Sequence, residues 1–164
     1  MNKVFLIVLS LALASCTSRT TEKIEALKNR MDGVEIKQAD AYRPNFGLYM
    51  SAIQTHHAKM WFAGKEQNWP LADFEAGRML ECLDEIKKYE AERKETNSLN
   101  MIGPILDDVA SAIKQKNEVA FRTNYNILTA TCNSCHQATG VGFIVIKTPD
   151  DLPVTNQIFT VQTK

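Results

Sequence analysis

Residues 117–136 carry the sequence NEVAFRTNYNILTATCNSCH, and the rest of the chain can be understood from this stretch. Asn117 and Glu118 are typical of a helix start, because an Asn side chain caps the first turn and an acid favours the helix N-terminus. The apolar side chains that follow recur at three- and four-residue steps, which predicts a helix with one buried face. These side chains are Phe121, Tyr125, Leu128, Cys132 and Cys135. Both cysteines therefore continue the buried stripe of this helix.

The same helix carries Cys132-Asn133-Ser134-Cys135-His136, a C-x-x-C-H pattern typical of c-type haem attachment. Two thiols three residues apart lie on one face of a helix and can form thioethers with the two vinyl groups of one porphyrin. The imidazole of His136 follows directly and can reach the iron from the proximal side. We therefore expect one covalent haem c, held by Cys132 and Cys135, with His136 as proximal iron ligand.

A redox-active dithiol and a zinc site are two alternatives for the same residues. A thioredoxin-like C-x-x-C opens a helix after a strand, whereas this one lies near a helix end in a chain without a βαβ pattern. The zinc ligands would be Cys132, Cys135, His136 and one of His56 and His57. Adjacent residues such as Cys135 and His136 point about 100° apart on a helix, which suits a porphyrin better than a small ion. Both alternatives stay open beside haem.

The first residues of the chain predict export. A lysine, an apolar run over residues 4–14 and small residues at its end are typical of a cleaved secretory signal, which we assign to residues 1–15. This run is too short to span a bilayer. Its ending, Leu13-Ala14-Ser15-Cys16, resembles the bacterial lipoprotein box, in which cleavage precedes a cysteine that becomes lipidated. The resemblance implies that an acylated Cys16 anchors the chain to a lipid bilayer.

The expected location is the periplasmic face of the outer membrane of a Gram-negative bacterium, because no aspartate follows Cys16 to favour retention in the inner membrane. The alternative is an ordinary cleaved signal with an incidental cysteine. Exported chains normally oxidise their thiols, and haem attachment is one use of a C-x-x-C pair that does not become a disulfide. The remaining Cys82 is expected to be a small buried apolar residue.

The composition favours an all-α body, with only 7 Gly and 5 Pro among 164 residues and many helix-forming side chains. Lysine and arginine together number 19, as do aspartate and glutamate, so the formal net charge is zero. Nucleic acid is therefore not expected as a partner, and electrostatic binding to a membrane surface is not indicated. The mature chain is long enough for one domain with its own core.

Hydrophobic periodicity predicts an antiparallel four-helix bundle over residues 45–140. The first helix runs from about Asn45 to Lys65, and the second and third have Pro70 and Pro104 in their first turns, where a missing N–H does no harm. The expected core residues are Phe46, Tyr49, Ile53, Met60 and Ala63 in the first helix, Ala72, Ala76, Met79, Leu83 and Ile86 in the second, and Ile102, Ile105, Val109 and Ile113 in the third.

The segments outside these helices are expected to be less regular. Residues 16–44 are predicted as a tether followed by a marginal amphipathic helix that is interrupted near Gly33. A polar loop is predicted around residues 96–100. Gly140 is typical of a helix end, and residues 141–164 are predicted as an extended arm over the bundle.

Four amphipathic helices with C-x-x-C-H late on the fourth resemble the cytochrome c-prime and c-556 class of four-helix-bundle cytochromes. The resemblance covers roughly residues 45–140, and only Cys132, Cys135 and His136 match as motif residues. It implies a haem domain of a kind that often forms homodimers. The chain departs from the class by continuing well beyond the motif, and by having Gln137-Ala138-Thr139 where a basic residue is usual.

The second axial ligand of the iron is expected from the first helix, because no Met follows the haem motif. The candidates are His57, His56, Met50 and Met60. His57 is preferred, because the run from His57 to Gly64, together with Asn68-Trp69 and the C-x-x-C-H motif, looks like a group of small exported bacterial proteins of unassigned role. Either histidine is costly on an apolar stripe without a polar partner or a metal. Without such a ligand, the iron would be five-coordinate or bound by Met.

These features predict a lipid-anchored periplasmic cytochrome that exchanges single electrons with a redox partner protein. A haem-based gas or redox sensor is the alternative, and a structural lipoprotein without haem is a second alternative. Neither an acid–base pair nor an activated nucleophile is visible, so the sequence does not predict an enzyme. A peroxidase-like activity of the haem stays open.

Overall fold

The structure, a computed structural model, describes residues 21–34 and 44–162, and in these ranges every regular element is helical. The all-α prediction is thus confirmed for this part of the chain. The predicted signal at residues 1–15 and the lipidation site Cys16 lie outside the described residues. None of the helices within the described ranges is both long enough and apolar enough to cross a membrane.

The chain divides into two units, residues 1–43 and 44–164. The first contains helix α1 at residues 21–34. Its apolar stripe is exposed, with 57–61% of each side chain accessible; the stripe consists of Ile24, Leu27, Met31 and Val34. The described helix includes Gly33 and reaches Val34. The predicted interruption near Gly33 borders residues 35–43, which lie outside the described residues.

The second unit is built from five α-helices and a 3-10 turn within its described residues. These are α2 (Phe46–Lys65), α3 (Trp69–Tyr89), α4 (Lys94–Ser98), the 3-10 turn (Leu99–Met101), α5 (Ile102–Lys114) and α6 (Glu118–Ala138). Helix α2 packs along α3, and α5 packs along α6. Contacts of α3 with α5 and of α2 with α6 join the two pairs.

Three asparagines start the long helices. The side chains of Asn45, Asn68 and Asn117 accept the N–H groups of Leu48, Leu71 and Ala120, respectively. Each satisfies a first-turn donor that has no partner within its own helix. The predicted cap at Asn117 is thereby confirmed, and so is the predicted position of Pro70 in the first turn of the second helix.

The predicted polar loop at residues 96–100 is wrong, because this segment forms α4 and the 3-10 turn. Thr96 donates its hydroxyl to the carbonyl of Glu90 at 2.7 Å. Leu99 is only 1% exposed, so the segment is fixed by a buried leucine inside an otherwise polar run. Such a single anchor gives no periodic signal in the sequence.

Helix α6 ends at Ala138, and Gly140, the predicted helix-ending glycine, follows two residues later with a φ of +82°. The amide of Val141 donates to the carbonyl of His136 at 2.9 Å, and that of Gly140 to Gln137 at 3.2 Å. This pair of bonds is the Schellman motif, in which glycine takes the left-handed conformation. The turn leads the chain back along the end of α6.

The inner stripe of α6 changes in size along its length. Phe121, Tyr125 and Leu128 are fully buried, and the smaller Cys132 and Cys135 follow at 8% and 6% exposure. At the aromatic end α2 fits tightly, because a Cβ added at Gly64 would lie 2.2 Å from ring atoms of Phe121. Interiors pack at near-crystal density, so the large side chains close one end and the small ones leave room at the other. Cys82 is buried, as predicted.

Candidate functional site

A cavity of about 360 Å³ lies at the cysteine end of α6. Its wall is mostly apolar and comes from the first half of α2, the end of α6, the segment after α3 and residues beyond α6. The lining residues are Phe46, Gly47, Met50, Ser51, Ile53, Gln54, His57, Arg93, Glu95, Leu99, Ile102, Cys132, Cys135, His136, Thr139, Val141, Ile144 and Ile146. A volume of roughly 300–1,000 Å³ is usual for small-molecule and cofactor sites.

Cys132 and Cys135 both line this cavity, and both thiols are free. Burial is the main cause that raises the pKa of Cys132 to about 11, and the neighbouring Cys135 adds to it. The pKa of Cys135 is also raised by burial. A thiol–disulfide exchange site needs a thiolate and therefore a lowered pKa. Burial instead raises the pKa of both thiols, which counts against the dithiol alternative.

His136 also lines the cavity, and one of its ring nitrogens has a fixed role. Nδ1 lies 2.7 Å from the carbonyl oxygen of Ile144. Since a carbonyl can only accept, Nδ1 carries the hydrogen and donates it. Nε2 is then the nitrogen with the lone pair. Metal-bound histidines generally have this arrangement, with one nitrogen on the metal and the other donating to a carbonyl or carboxylate.

The segment beyond α6 is held beside the C-x-x-C-H motif by Asn133. Its Nδ2 donates to the carbonyl of Ile146 at 2.8 Å, and its Oδ1 accepts the amide of Ile146 at 2.7 Å. Further along, Thr148 donates to Asn126 at 3.1 Å. No strand or helix occurs in residues 139–162, the described part of this segment, which we call the C-terminal arm.

His57 is 3% exposed and forms a network with α6. Its Nε2 lies 2.9 Å from Oγ1 of Thr129, and its Nδ1 lies 2.9 Å from the hydroxyl of Tyr125. The rings of His57 and Tyr125 also stack at 4.4 Å between centroids. Burial lowers the pKa of His57 to about 4, so the imidazole is neutral at pH 7.

Two tautomers of His57 satisfy this network. With the hydrogen on Nε2, Thr129 accepts it while donating to the backbone carbonyl of Tyr125 at 2.9 Å, and the hydroxyl of Tyr125 donates to Nδ1. With the hydrogen on Nδ1, the hydroxyl of Tyr125 accepts it and donates to the backbone carbonyl of His57 at 3.0 Å, and Thr129 donates to Nε2. Both nitrogens of His57 are therefore engaged, whereas within the described residues only Nδ1 of His136 has a hydrogen-bond partner.

The other three predicted distal ligands lie in different environments. Met50 lines the cavity. His56 does not, and its Nδ1 lies 2.6 Å from the carboxylate of Glu75, which is 2% exposed. Met60 is fully buried in the core. Among the described residues, no group of three or more His, Cys, Asp and Glu side chains is placed to hold a metal ion by itself, so the zinc set does not assemble in this arrangement.

The residues at the cavity fit a haem better than a bare metal ion. Two free thiols stand three residues apart on one helix face, a histidine nitrogen with its lone pair follows, and the wall is apolar. Arg93 also lines the cavity and pairs there with Glu95, with 3.3 Å between Nη2 and Oε1. No protein-family model, curated protein or solved structure matches the chain.

Sequence reasoning missed four partners in this region. Thr129 and Tyr125 bind His57, and the polar Thr129 on the buried stripe, one turn before Cys132, was a usable signal. Glu75 falls in the same phase as Met79, which marks it as a buried carboxylate in need of a partner. The contact of Asn133 with Ile146 depends on how the arm folds back, and no local pattern indicates it.

Proposed function

We propose that the protein is a c-type cytochrome with one covalent haem, attached at Cys132 and Cys135 and ligated by His136, that transfers single electrons. The proposal depends above all on one observation: both thiols and His136 line the same apolar cavity, and His136 donates its Nδ1–H to Ile144. When bound, the haem would supply an iron that cycles between two oxidation states. The protein would set its potential through burial, ligands and hydrogen bonds.

We further propose that α2, α3, α5 and α6 form an antiparallel four-helix bundle of the cytochrome c-prime and c-556 kind. The pairwise packing of these helices supports this arrangement. The proposed location, the periplasmic side of a membrane with Cys16 acylated, rests on the sequence of the first 16 residues. A Cys16→Ala variant is expected to leave the membrane fraction while keeping the same haem spectrum.

His57 is our proposed distal ligand, and its network shows what ligation would require. Nε2 would give up its contact with Thr129 so that its lone pair is free, and the ring hydrogen on Nδ1 would donate to Tyr125. The hydroxyl of Tyr125 can then donate to the backbone carbonyl of His57 at 3.0 Å. The exchange therefore sacrifices a single hydrogen bond, worth about 0.5–1.5 kcal/mol.

The decisive experiment is an absorption spectrum of the protein made with the cytochrome c maturation machinery and then denatured, so that only covalent haem is retained. We expect haem absorbance in the wild type and in Cys82→Ala, and loss of the doubly attached form in Cys132→Ala. Cys82 is a suitable control because it is equally buried but lies away from the cavity. A colourless wild type would favour the structural lipoprotein instead.

A second experiment tests the distal ligand. A His57→Ala variant is expected to convert a low-spin spectrum to a high-spin one, because the iron loses a strong-field ligand. A wild-type protein that is high-spin already, with no change in the variant, would exclude His57.

A haem-based sensor is the second candidate function, and one observation favours it. Because Thr129 competes for Nε2 of His57, the distal ligand would be weakly held and easily displaced by a small molecule. Fast binding of carbon monoxide to the reduced protein, without a slow ligand-loss step, would support the sensor over the electron carrier.

A further inference from the structure

The C-terminal arm meets the C-x-x-C-H motif at two side chains of α6. Asn133 forms two hydrogen bonds to the backbone of Ile146, and His136 donates to the carbonyl of Ile144. Ile144 and Ile146 also line the cavity. The arm thus supplies both a wall of the cavity and the acceptor for the histidine ring.

We infer that the arm is an integral part of the haem site and that Asn133 is a positioning residue for His136. This inference rests on the proposed haem function. Asn133 stands between the two cysteines, and its amide group binds both the N–H and the C=O of Ile146. By fixing Ile146, it holds the carbonyl of Ile144, two residues earlier, at the Nδ1–H of His136. Haem attachment, iron ligation and the hydrogen bonds that position the ligand would then come from one five-residue motif.

The hydrogen bond to Ile144 has two physical consequences. It selects the tautomer of His136 in which Nε2 has the lone pair, and it limits rotation of the ring. It also makes the imidazole a stronger donor to a metal, since a histidine that donates its other N–H becomes more basic. A more electron-rich ligand favours the ferric state. Loss of the bond should therefore raise the reduction potential.

The chain provides a matched control on the same helix and the same arm. Asn126 accepts a hydrogen bond from Thr148 at 3.1 Å, and neither residue lines the cavity. An Asn126→Ala variant removes an Asn side chain and an arm contact without touching Ile144 or Ile146. It separates a general loosening of the arm from a loss of support for His136.

The test compares Asn133→Ala with Asn126→Ala in the haem-loaded, full-length protein. In Asn133→Ala, we expect the amide of Ile146 to exchange about ten-fold faster, as expected for the loss of a hydrogen bond, and the reduction potential to rise. Asn126→Ala should change neither quantity. Asn133→Asp keeps the Oδ1 acceptor and should restore protection of the Ile146 amide, which guards against a variant that is merely misfolded.

Failure of the inference and failure of the proposed function give different results. If the wild type contains covalent haem but Asn133→Ala and Asn126→Ala have the same potential, the inference is wrong and the function stands. If the wild type attaches no haem, the function is wrong. The inference is then judged in the haem-free chain by the ring-nitrogen chemical shifts of His136. An Nδ1–H tautomer in the wild type that becomes mixed in Asn133→Ala supports it, and equal populations overturn it.

Discussion

Helices α2 and α6 pack tightly against each other at one end of their contact and leave a cavity at the other. At one end, Gly64 of α2 meets the ring of Phe121 so closely that an added Cβ would overlap it. At the other end, the same two helices wall a cavity with His57 and Cys132. Tyr125 lies between the two regions, stacked on His57 and with its ring centroid 4.9 Å from that of Trp61.

The difference shows how a helix pair can combine rigidity with a binding site. Four aromatic side chains form the aromatic end, and the centroids of their contacting rings lie 4.9–6.2 Å apart. These side chains are Trp61, Trp69, Phe121 and Tyr125. Such packing fixes the spacing of the helices. The small cysteines at the other end then leave a volume for a ligand. We expect changes at the cavity end to act on haem, and changes at the aromatic end to act on stability.

The largest expected effect is the loss of haem on His136→Ala. Without the proposed proximal imidazole, the iron would have no ligand adjacent to Cys132 and Cys135, and purified protein should retain little covalent haem absorbance. His56→Gln is the matched control, because His56 lies off the cavity and glutamine can still donate to Glu75. Equal haem content in the two variants would contradict the role of His136.

The next effect concerns the pH dependence of stability in the haem-free chain. The pKa of His57 is lowered by burial to about 4, whereas an unfolded chain has a value near 6.5. Between these values the unfolded state binds more protons, so stability is full above pH 6.5 and falls as the pH drops towards 4. The loss amounts to about 3 kcal/mol.

Urea unfolding at pH 7 and at pH 4.5 measures this effect. His57→Gln has no titrating group at the position, and its stability should fall much less between the two pH values. If the free energy of unfolding falls by the same amount in both proteins between pH 7 and pH 4.5, His57 is not neutral in the folded protein.

The long helices, their caps and their buried stripes could be predicted because each depends on residues within a few positions. Asn117 and Gly140 mark the two ends of α6 by local chemistry, and the phase of Cys132 follows from the same helix. The partners of the histidines could not be predicted in this way. Glu75, Thr129 and the carbonyl of Ile144 reach their partners only through tertiary packing, and the buried Leu99 turns a polar run into helix.

At the aromatic end, Gly64→Ala should destabilise the protein by about 1–3 kcal/mol, because the methyl group would overpack against Phe121. Gly77→Ala is the control, since an added Cβ there meets nothing within 4 Å. It should stabilise α3 by about 0.5–1 kcal/mol. Thermal unfolding of both variants measures the two changes in stability. A changed haem spectrum in Gly64→Ala would show that the two ends are not independent.

The smallest expected effect tests the competition for His57. Thr129→Val keeps the shape of the side chain but removes the hydroxyl that is hydrogen-bonded to Nε2 of His57, so the proposed ligation would no longer sacrifice that hydrogen bond. Carbon monoxide must then displace a more tightly bound His57, and its affinity for the reduced protein should fall on the order of ten-fold. Thr131→Val is the control, because Thr131 donates to the carbonyl of Ile127 four residues earlier, as Thr129 does to Tyr125, but has no histidine partner. An unchanged affinity in Thr129→Val would mean that His57 does not bind the iron, and that the distal position is open.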